Sequence, residues 1–302
     1  MPISFEGRVV IVTGAGGGMG RAHALAFAAR GAKVLVNDLG GDPNGQGEDA
    51  APAQKVVDEI KRAGGDAVAN FGSVADFDNG LEMVRQCVDA WGRVDAVVCN
   101  AGILRDKAVH NITEQDWDLI FDVHVKGSFN LIHHAWPLFR QQQYGRVVMT
   151  SSSSGIYGNF GQTNYGGAKA AMMGMMNVLK LEGLKYNIGV NLILPGAATR
   201  MTENLMPAEA LEGMQPEHVS PAVLYLSSEE CKDTGLMIEA AGGHFNRSVV
   251  VQGPQVSTGG EVATVDWVHE HWNEITSLEG AKPRWNIGQS LEEFEAERAK
   301  QG

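Results

Sequence analysis

The sequence predicts an α/β protein: a single doubly wound Rossmann-type domain with a parallel seven-stranded sheet and a C-terminal extension. Short runs of β-branched residues alternate with longer stretches of helical periodicity, which is the pattern of βαβ units. These runs are apolar almost throughout, which indicates strands buried on both faces. A glycine cluster follows the first run. We therefore expect helices on both faces of one sheet.

Seven segments carry the strand pattern, and two connections between them are irregular. The glycine-rich loop Leu39–Gly47 and the segment Thr199–Pro216 are candidates for mobile elements, the second as a lid. We expect the domain to span residues 1–243, and residues 244–302 to pack on it or on a neighbouring subunit. The predicted strands lie near Val9–Val12, Val34–Asn37, Ala67–Phe71, Ala96–Cys99, Val147–Thr150, Val190–Leu194 and Leu236–Glu239.

Composition excludes several classes of protein. Of the 302 residues, 44% are hydrophobic and 20% charged, which is typical of a folded globular chain. The net charge of -12 argues against a nucleic-acid partner. No apolar run approaches the ~20 residues that span a bilayer, and neither terminus resembles a secretory or peroxisomal signal. The three scattered cysteines form neither a disulfide framework nor a metal site, so we expect a cytoplasmic protein without a metal.

The glycine cluster predicts a dinucleotide-binding loop. Thr13–Gly20 lies between a strand and a helical run, where glycine permits a sharp turn and close approach to a pyrophosphate. We expect Gly14, Gly18, Met19 and Gly20 to contact the cofactor. Asp38 ends the second strand, eighteen residues beyond Gly20, and can accept hydrogen bonds from the adenosine ribose. Its charge would repel a 2′-phosphate, so NAD is favoured over NADP, although Asp38 can also begin the following turn.

Two residues on one helix predict acid-base chemistry. Tyr165 and Lys169 are four positions apart, hence on one helical face. A free tyrosine titrates near ~10, and positive charge from Lys169 and an oxidised nicotinamide would lower that pKa. The preceding strand ends in a serine run, so a serine hydroxyl can stand beside Tyr165 at the carboxyl edge of the sheet. Ser151 and Ser152 are both candidates.

Several motifs in this order resemble the short-chain dehydrogenase/reductase family over residues 7–243. They are Thr13-Gly14-x-x-x-Gly18-x-Gly20, Asn100-Ala101-Gly102, a serine thirteen residues before Tyr165, and Tyr165-x-x-x-Lys169. The spacing selects Ser152 over Ser151. The resemblance implies that Ser152 orients and polarises the substrate oxygen, Tyr165 transfers the proton, and Lys169 holds the nicotinamide ribose and tunes Tyr165.

The resemblance also implies further cofactor contacts and shows two departures. Cys99 replaces a more usual asparagine, and His124 stands where many members place an asparagine in the helix after the fourth strand. The proton relay is therefore assigned either to His124 or to a water. The implied contacts are Asn100, Ala101 and Gly102, with Ser73 and Val74 at the adenine, and Pro195 and Ala198 at the nicotinamide.

Three longer segments are similar to the (3R)-hydroxyacyl-CoA dehydrogenase part of peroxisomal multifunctional enzymes of type 2 and their bacterial relatives. They are residues 37–42, 100–106 and 154–162. This similarity implies oxidation of (3R)-3-hydroxyacyl-CoA to 3-oxoacyl-CoA in fatty-acid or steroid side-chain degradation. The alternatives are a 17β-hydroxysteroid or other secondary-alcohol dehydrogenase and an NAD-binding redox sensor or scaffold. Arg105, Lys107 and Arg200 are either contacts for CoA phosphates or solvated surface charges.

The resemblance finally implies self-association. Family members commonly form dimers or tetramers through the two helices that here carry His124 and Tyr165. Four methionines, Met172, Met173, Met175 and Met176, fit core or subunit packing better than substrate binding. The expected partners are therefore a small-molecule substrate, an acyl-CoA or steroid, and further copies of the chain as a homodimer or homotetramer.

Overall fold

The computed structural model describes residues 2–198, 213–291 and residue 295. Most of the connection expected to act as a lid, Thr199–Pro216, lies outside these ranges, as does Arg200. By contact density, the chain divides into one unit at Met1–Arg247 and a second at Ser248–Gly302.

The first unit is built on an eight-stranded sheet with strand order β3-β2-β1-β4-β5-β6-β7-β8. Strands β1 to β7 pair in parallel along this order. The order reverses at β1, between β2 and β4, which is where doubly wound sheets bind ligands. The strands are β1 (Val9–Thr13), β2 (Lys33–Asn37), β3 (Asp66–Asn70), β4 (Ala96–Cys99), β5 (Gly145–Thr150), β6 (Ile188–Gly196), β7 (Met237–Ala241) and β8 (His244–Ser248).

Helices connect the parallel strands. A single π turn, Asp122–Lys126, joins the helices after β4 into one continuous run. The α-helices of this unit are α1 (Gly18–Ala28), α2 (Ala51–Arg62), α3 (Phe77–Trp91), α4 (Glu114–Phe121), α5 (Gly127–Gln142), α6 (Ser153–Tyr157), α7 (Thr163–Gly183) and α8 (Ser220–Ser227).

Alternate residues of the sheet supply two hydrophobic cores, one on each face. On β1, Val10 and Val12 belong to one core, whereas Val9 and Ile11 belong to the other. All five residues of β1 are buried. Successive side chains of a strand point to opposite faces, so burial of every position requires cover on both sides. The predicted doubly wound α/β fold is thereby confirmed.

The eighth strand differs from the sequence-based prediction. Strand β8 follows β7 after only Gly242 and Gly243, whose φ angles of 53° and 81° suit a tight hairpin turn. A two-residue connection makes the pair antiparallel, because parallel strands need a crossover. The prediction assigned residues from 244 onward to the extension. The first four residues of β8 are exposed, so the strand lacks the apolar pattern that revealed the others.

The second unit contains short elements. Strand β9 (Val251–Gln252) pairs antiparallel with β10 (Lys282–Pro283), and two brief helices lie between them, α9 (Val265–Glu270) and α10 (Trp272–Ile275). In the described part of either unit, no helix is long and apolar enough to cross a membrane.

Candidate active site

The glycine loop after β1 forms a close-packed cradle. Gly14 has a φ of +64°, and a Cβ there would lie 2.8 Å from the Ala101 Cα. A Cβ at Gly20 would lie 2.2 Å from the Gly14 carbonyl oxygen. Since glycine has no side chain at either position, the backbone at the start of α1 can lie close to the end of β4. The sequence motif therefore marks a packing requirement as well as a turn.

Thr13 and Asn100 hold this loop against β4. The Thr13 hydroxyl oxygen accepts hydrogen bonds from the backbone N–H groups of Asn100 and Ala101, each at 3.0 Å. The Asn100 side chain donates from Nδ2 to the Thr13 carbonyl oxygen at 2.9 Å. The Asn100 Oδ1 atom is buried and has no hydrogen-bond partner among the described residues. An unsatisfied buried acceptor that lines a cavity is suited to a ligand donor.

Asp38 lies at the carboxyl end of β2, as predicted. Its Oδ2 accepts from the Gly16 backbone N–H at 2.7 Å, and its Oδ1 accepts from that of Gly40 at 2.7 Å. Asp38 therefore joins the glycine loop to the next connection. It also lines a cavity of about 150 Å³ together with Ser73 and Val74.

Three adjoining cavities lie along the predicted cofactor site. A second cavity of about 140 Å³ is lined by Gly14, residues 17–20 and residues 100–102. A third, of about 310 Å³, contains Met19, Asn100, Tyr165, Lys169 and Pro195. Gly14, Met19, Asn100 and Gly102 each line two or more of these cavities, so the three spaces adjoin. Together they provide a groove whose lining residues suit a nicotinamide dinucleotide.

The glycine-rich loop after β2 is docked over this groove. The Pro43 carbonyl oxygen accepts from the Leu104 N–H at 3.0 Å, and Arg105 Nε donates to the Asn44 carbonyl oxygen at 2.9 Å. Within the loop, Asp42 Oδ1 accepts from two backbone N–H groups at 2.9 Å. The loop was a candidate mobile element, and these contacts give it a defined conformation.

The two candidate serines have different surroundings. Ser151 is buried and donates from its hydroxyl to the Lys169 carbonyl oxygen at 2.8 Å. Ser152 directly precedes α6 and caps it, since its hydroxyl accepts from the Ser154 N–H at 3.1 Å. Both line the third cavity. Only Ser152 also acts on Tyr165, as a hydrogen-bond donor that lowers the phenol pKa. The surroundings therefore favour Ser152 as the serine that contacts the substrate.

Tyr165 and Lys169 face the same cavity from α7. The Lys169 Nζ lies 5.5 Å from the centre of the Tyr165 ring and donates to the Thr150 carbonyl oxygen at 2.6 Å. Behind them, Met172 and Met176 are buried in the core, as expected.

Asn164 is fully buried, and the sequence did not predict it as a site residue. Its Oδ1 accepts from the Tyr165 backbone N–H at 2.8 Å, which fixes the start of α7.

The pKa values differ from the expected tuning. Desolvation of the hydroxyl raises the pKa of Tyr165 to about 12, and the Ser152 hydrogen bond opposes that rise. Burial lowers the pKa of Lys169 to about 7. The protein groups alone leave the phenol pKa high, because desolvation of the hydroxyl outweighs the hydrogen bond from Ser152.

His124 sits in the π turn and contacts Tyr165 edge to face, with ring centres 5.4 Å apart. Depending on its tautomer, Nε2 accepts from the Ile103 N–H at 3.1 Å or donates to the Ile103 carbonyl oxygen at 2.9 Å. Burial holds the pKa of His124 well below its usual value, so the ring is neutral. Gly102 leaves the space for it, since a Cβ there would meet the His124 Cε1 at 2.5 Å.

Other predicted residues fall at or beyond the rim. Ala198 does not line the third cavity; its N–H donates to the Met214 carbonyl oxygen at 2.6 Å. Arg105 and Lys107 form ion pairs with Asp116, at 3.2 Å and 2.6 Å. The single Asp116 carboxylate therefore offsets part of their charge, which weakens their assignment to CoA phosphates. Across the described ranges, no cluster of His, Cys, Asp or Glu could hold a metal ion.

Comparison with known proteins agrees with this geometry. A family model described as short chain dehydrogenase matches residues 8–210. The chain is 47% identical over 291 residues to the peroxisomal multifunctional enzyme type 2 of Mus musculus, covering 96% of this chain and 39% of that protein. It is 48% identical over 277 residues to a short-chain type dehydrogenase/reductase of Mycobacterium tuberculosis, covering 92% and 96%.

A solved structure shows the same likeness. Full-length peroxisomal multifunctional enzyme type 2 from Drosophila melanogaster superposes with a TM-score of 0.84 at 38% identity. The match covers 99% of this chain and 50% of that one. The chain thus spans half or less of the length of these multifunctional relatives, and nearly the whole length of the mycobacterial one.

Proposed function

The chain belongs to the short-chain dehydrogenase/reductase family, an oxidoreductase family, and we propose that it oxidises (3R)-3-hydroxyacyl-CoA to 3-oxoacyl-CoA with NAD. The observation that carries the proposal is the convergence of Ser152, Tyr165 and Lys169 on one cavity that adjoins a dinucleotide-shaped groove. The choice of an acyl-CoA is supported by the similarity to multifunctional enzymes of type 2. The pathway proposed is fatty-acid or steroid side-chain β-oxidation.

Asp38 supports NAD rather than NADP. The carboxylate lies beside the cavity that contains Ser73 and Val74, where the adenosine end of the cofactor would bind. There it can accept from ribose hydroxyls, and it would repel a phosphate on the same ribose. Its two backbone donors, Gly16 and Gly40, hold it in place for this contact.

The mechanism follows from the side chains around the third cavity. The Tyr165 phenolate accepts the proton of the substrate hydroxyl, while Ser152 donates a hydrogen bond to the same oxygen as it becomes a carbonyl. When bound, the oxidised nicotinamide supplies a hydride acceptor and a positive charge. Lys169, anchored on Thr150, holds the nicotinamide ribose and adds positive charge near the phenol. His124, neutral and bonded to Ile103, orients the Tyr165 ring.

A panel of alcohols tests the substrate class. Purified protein is incubated with NAD or NADP and with (3R)-hydroxyacyl-CoA esters, their 3S epimers, or a free 17β-hydroxysteroid, and reduced cofactor is followed by absorbance. We expect turnover of the 3R esters with NAD. Turnover of the free steroid alone would support the assigned catalytic residues but refute the CoA ester as the substrate. NAD binding without any turnover would favour the redox-sensor or scaffold alternative.

We further propose that the chain self-associates through α5 and α7. These helices border an apolar groove of about 590 Å³, and several of its residues are exposed. A second copy of the same face would cover it, giving a homodimer or, with a further interface, a homotetramer. The apolar groove residues are Phe129, Ile132, Trp136, Met175, Val178 and Leu179.

The proposed compartment is the cytoplasm. All three cysteines, Cys87, Cys99 and Cys231, are free thiols and buried, which suits a reducing environment. Fractionation of cells that express the full-length protein tests this proposal, and co-purification with peroxisomes would contradict it.

A further inference from the structure

Asp106 does not line the third cavity, but it is one hydrogen bond away from a residue that does. It follows β4 and sits between Arg105 and Lys107, which both pair with Asp116 instead. The Asp106 Oδ2 accepts from Gln162 Nε2 at 2.7 Å. The residue as a whole is exposed, yet desolvation of its carboxyl group raises its pKa, and the Gln162 hydrogen bond opposes that rise. Asp106 is therefore an acid whose carboxylate is hydrogen-bonded to a residue of the cavity wall.

Gln162 connects Asp106 to the third cavity, because it bonds the Asp106 carboxylate and also lines the cavity. Its side chain is buried and lines the cavity with Tyr165. Because its amide nitrogen is tied to Asp106, its Oε1 is directed to Asn159, whose Nδ2 donates to it at 3.1 Å. The Lys107 N–H also donates to the Gly161 carbonyl oxygen at 2.8 Å, so the backbone next to Asp106 is bonded to the backbone next to Gln162. One carboxylate thus fixes the orientation of two amides beside the phenol.

The charges around Tyr165 make Asp106 distinctive. Lys169 approaches from the same helix, and His124 approaches from the π turn but is neutral. On α4, the Asp116 carboxylate is neutralised by its two cationic partners. Among the described residues, Asp106 is the acidic group whose charge raises the pKa of the phenol.

We propose that Asp106 is a positioning residue for the reaction at Tyr165: its carboxylate orients the Gln162 amide in the cavity wall, and its negative charge acts on the phenol. The proposal rests on the proposed function, since it concerns the same site. The negative charge favours the protonated phenol, which is the proton donor when the ketone is reduced. Asp106 would therefore raise the phenol pKa and favour the protonation state that reduces the ketone. Lys169 and the cofactor would lower that pKa and favour the state that oxidises the alcohol.

The test separates the charge from the hydrogen bond. Asp106→Asn keeps an oxygen acceptor for Gln162 and removes the charge, whereas Asp106→Ala removes both. We expect the acid limb of kcat/KM for alcohol oxidation to move to lower pH, by roughly half a pH unit or more, in both variants. We also expect KM for the alcohol to rise several-fold only in Asp106→Ala. The matched control is Asp118→Asn, an exposed acid on α4, which should leave both quantities unchanged.

A second readout needs no turnover. Ultraviolet absorbance of tyrosinate, with the Tyr165→Phe signal subtracted, follows ionisation of Tyr165 in the free protein, and Asp106→Asn should lower its midpoint. Superimposable titrations and pH profiles for wild type and Asp106→Asn would overturn the charge effect, and equal KM values in all variants would overturn the orienting effect. Failure of the wild type to oxidise any alcohol would instead contradict the proposed function and leave the tyrosinate titration to decide this inference.

Discussion

The Lys169 Nζ donates a 2.6 Å hydrogen bond to the Thr150 carbonyl oxygen and so fastens the reactive face of α7 to the end of β5. The ammonium is almost completely buried, with 3% of the residue exposed, and its pKa falls to about 7. Burial of a charge without an opposite charge destabilises the fold. Lys169 at this buried position therefore lowers the stability of the fold, and we attribute its presence to its role in the active site.

Lys169→Met should remove a specific pH dependence of stability. The folded pKa of about 7 lies below the usual lysine value of 10.5, so between these values the unfolded chain binds a proton that the native protein lacks. Wild-type stability should accordingly rise with pH across this window. We expect the free energy of unfolding of wild type, relative to the variant, to increase by about 1–3 kcal/mol from pH 7 to pH 10.

Urea unfolding at several pH values measures this difference. Lys55→Met, which removes an exposed lysine on α2, is the matched control and should run parallel to wild type. If Lys169→Met also ran parallel to wild type, the assigned pKa and the burial that causes it would both be wrong.

Asp38→Ser should weaken the preference for NAD. The substitution removes the acceptor for ribose hydroxyls and the charge that opposes a 2′-phosphate. We expect NADH to bind roughly tenfold more weakly and NADPH to bind the same or better. Fluorescence titration of both reduced cofactors measures the ratio, with Asp58→Ser on α2 as control. A wild-type preference for NADPH would refute the role given to Asp38.

His124→Asn should preserve the shape of the pH profile. The ring is already neutral because burial holds its pKa well below the usual value, so it does not titrate in the working range. We expect kcat to stay within roughly tenfold of wild type, because an asparagine can still bond the Ile103 backbone. Steady-state rates from pH 5 to 9 check this. Loss of an ionisation near pH 6 in the variant would assign the proton relay to His124.

Val178→Glu should disrupt self-association. Val178 is 56% exposed and lines the apolar groove between α5 and α7. A charge buried in an interface without a partner costs several kcal/mol, so the assembly should dissociate. Light scattering gives the mass in solution. Val109→Glu, at another exposed apolar position, should leave it unchanged. A monomeric wild type, or an unaffected variant, would contradict the proposed interface.

The sequence predicted those features that depend on short-range pattern. The predicted ends of the first seven strands agree with the observed ends to within two residues, because most of these strands are buried apolar runs. The glycine loop was recognised because Gly14 and Gly20 leave no room for other residues. Tyr165 and Lys169 were paired because helical spacing alone puts them on one face.

The remaining features depend on contacts between distant segments. Docking of the loop at Pro43 onto Leu104, and the bond between Asp106 and Gln162, join residues about 60 positions apart. The high pKa of Tyr165 depends on how completely the fold desolvates its hydroxyl. The π turn at His124 is a local irregularity that helical periodicity does not reveal.

Tyr165→Phe tests the central claim most directly. The variant removes the proton-transferring hydroxyl and retains the ring that packs against His124. We predict that oxidation of the (3R)-hydroxyacyl-CoA ester, measured as NADH absorbance, falls by a factor of roughly 10²–10⁴ while NAD affinity from fluorescence titration stays within about twofold. Turnover close to the wild-type rate in this variant would contradict the assignment of Tyr165 as the proton-transferring residue, and with it the proposed mechanism.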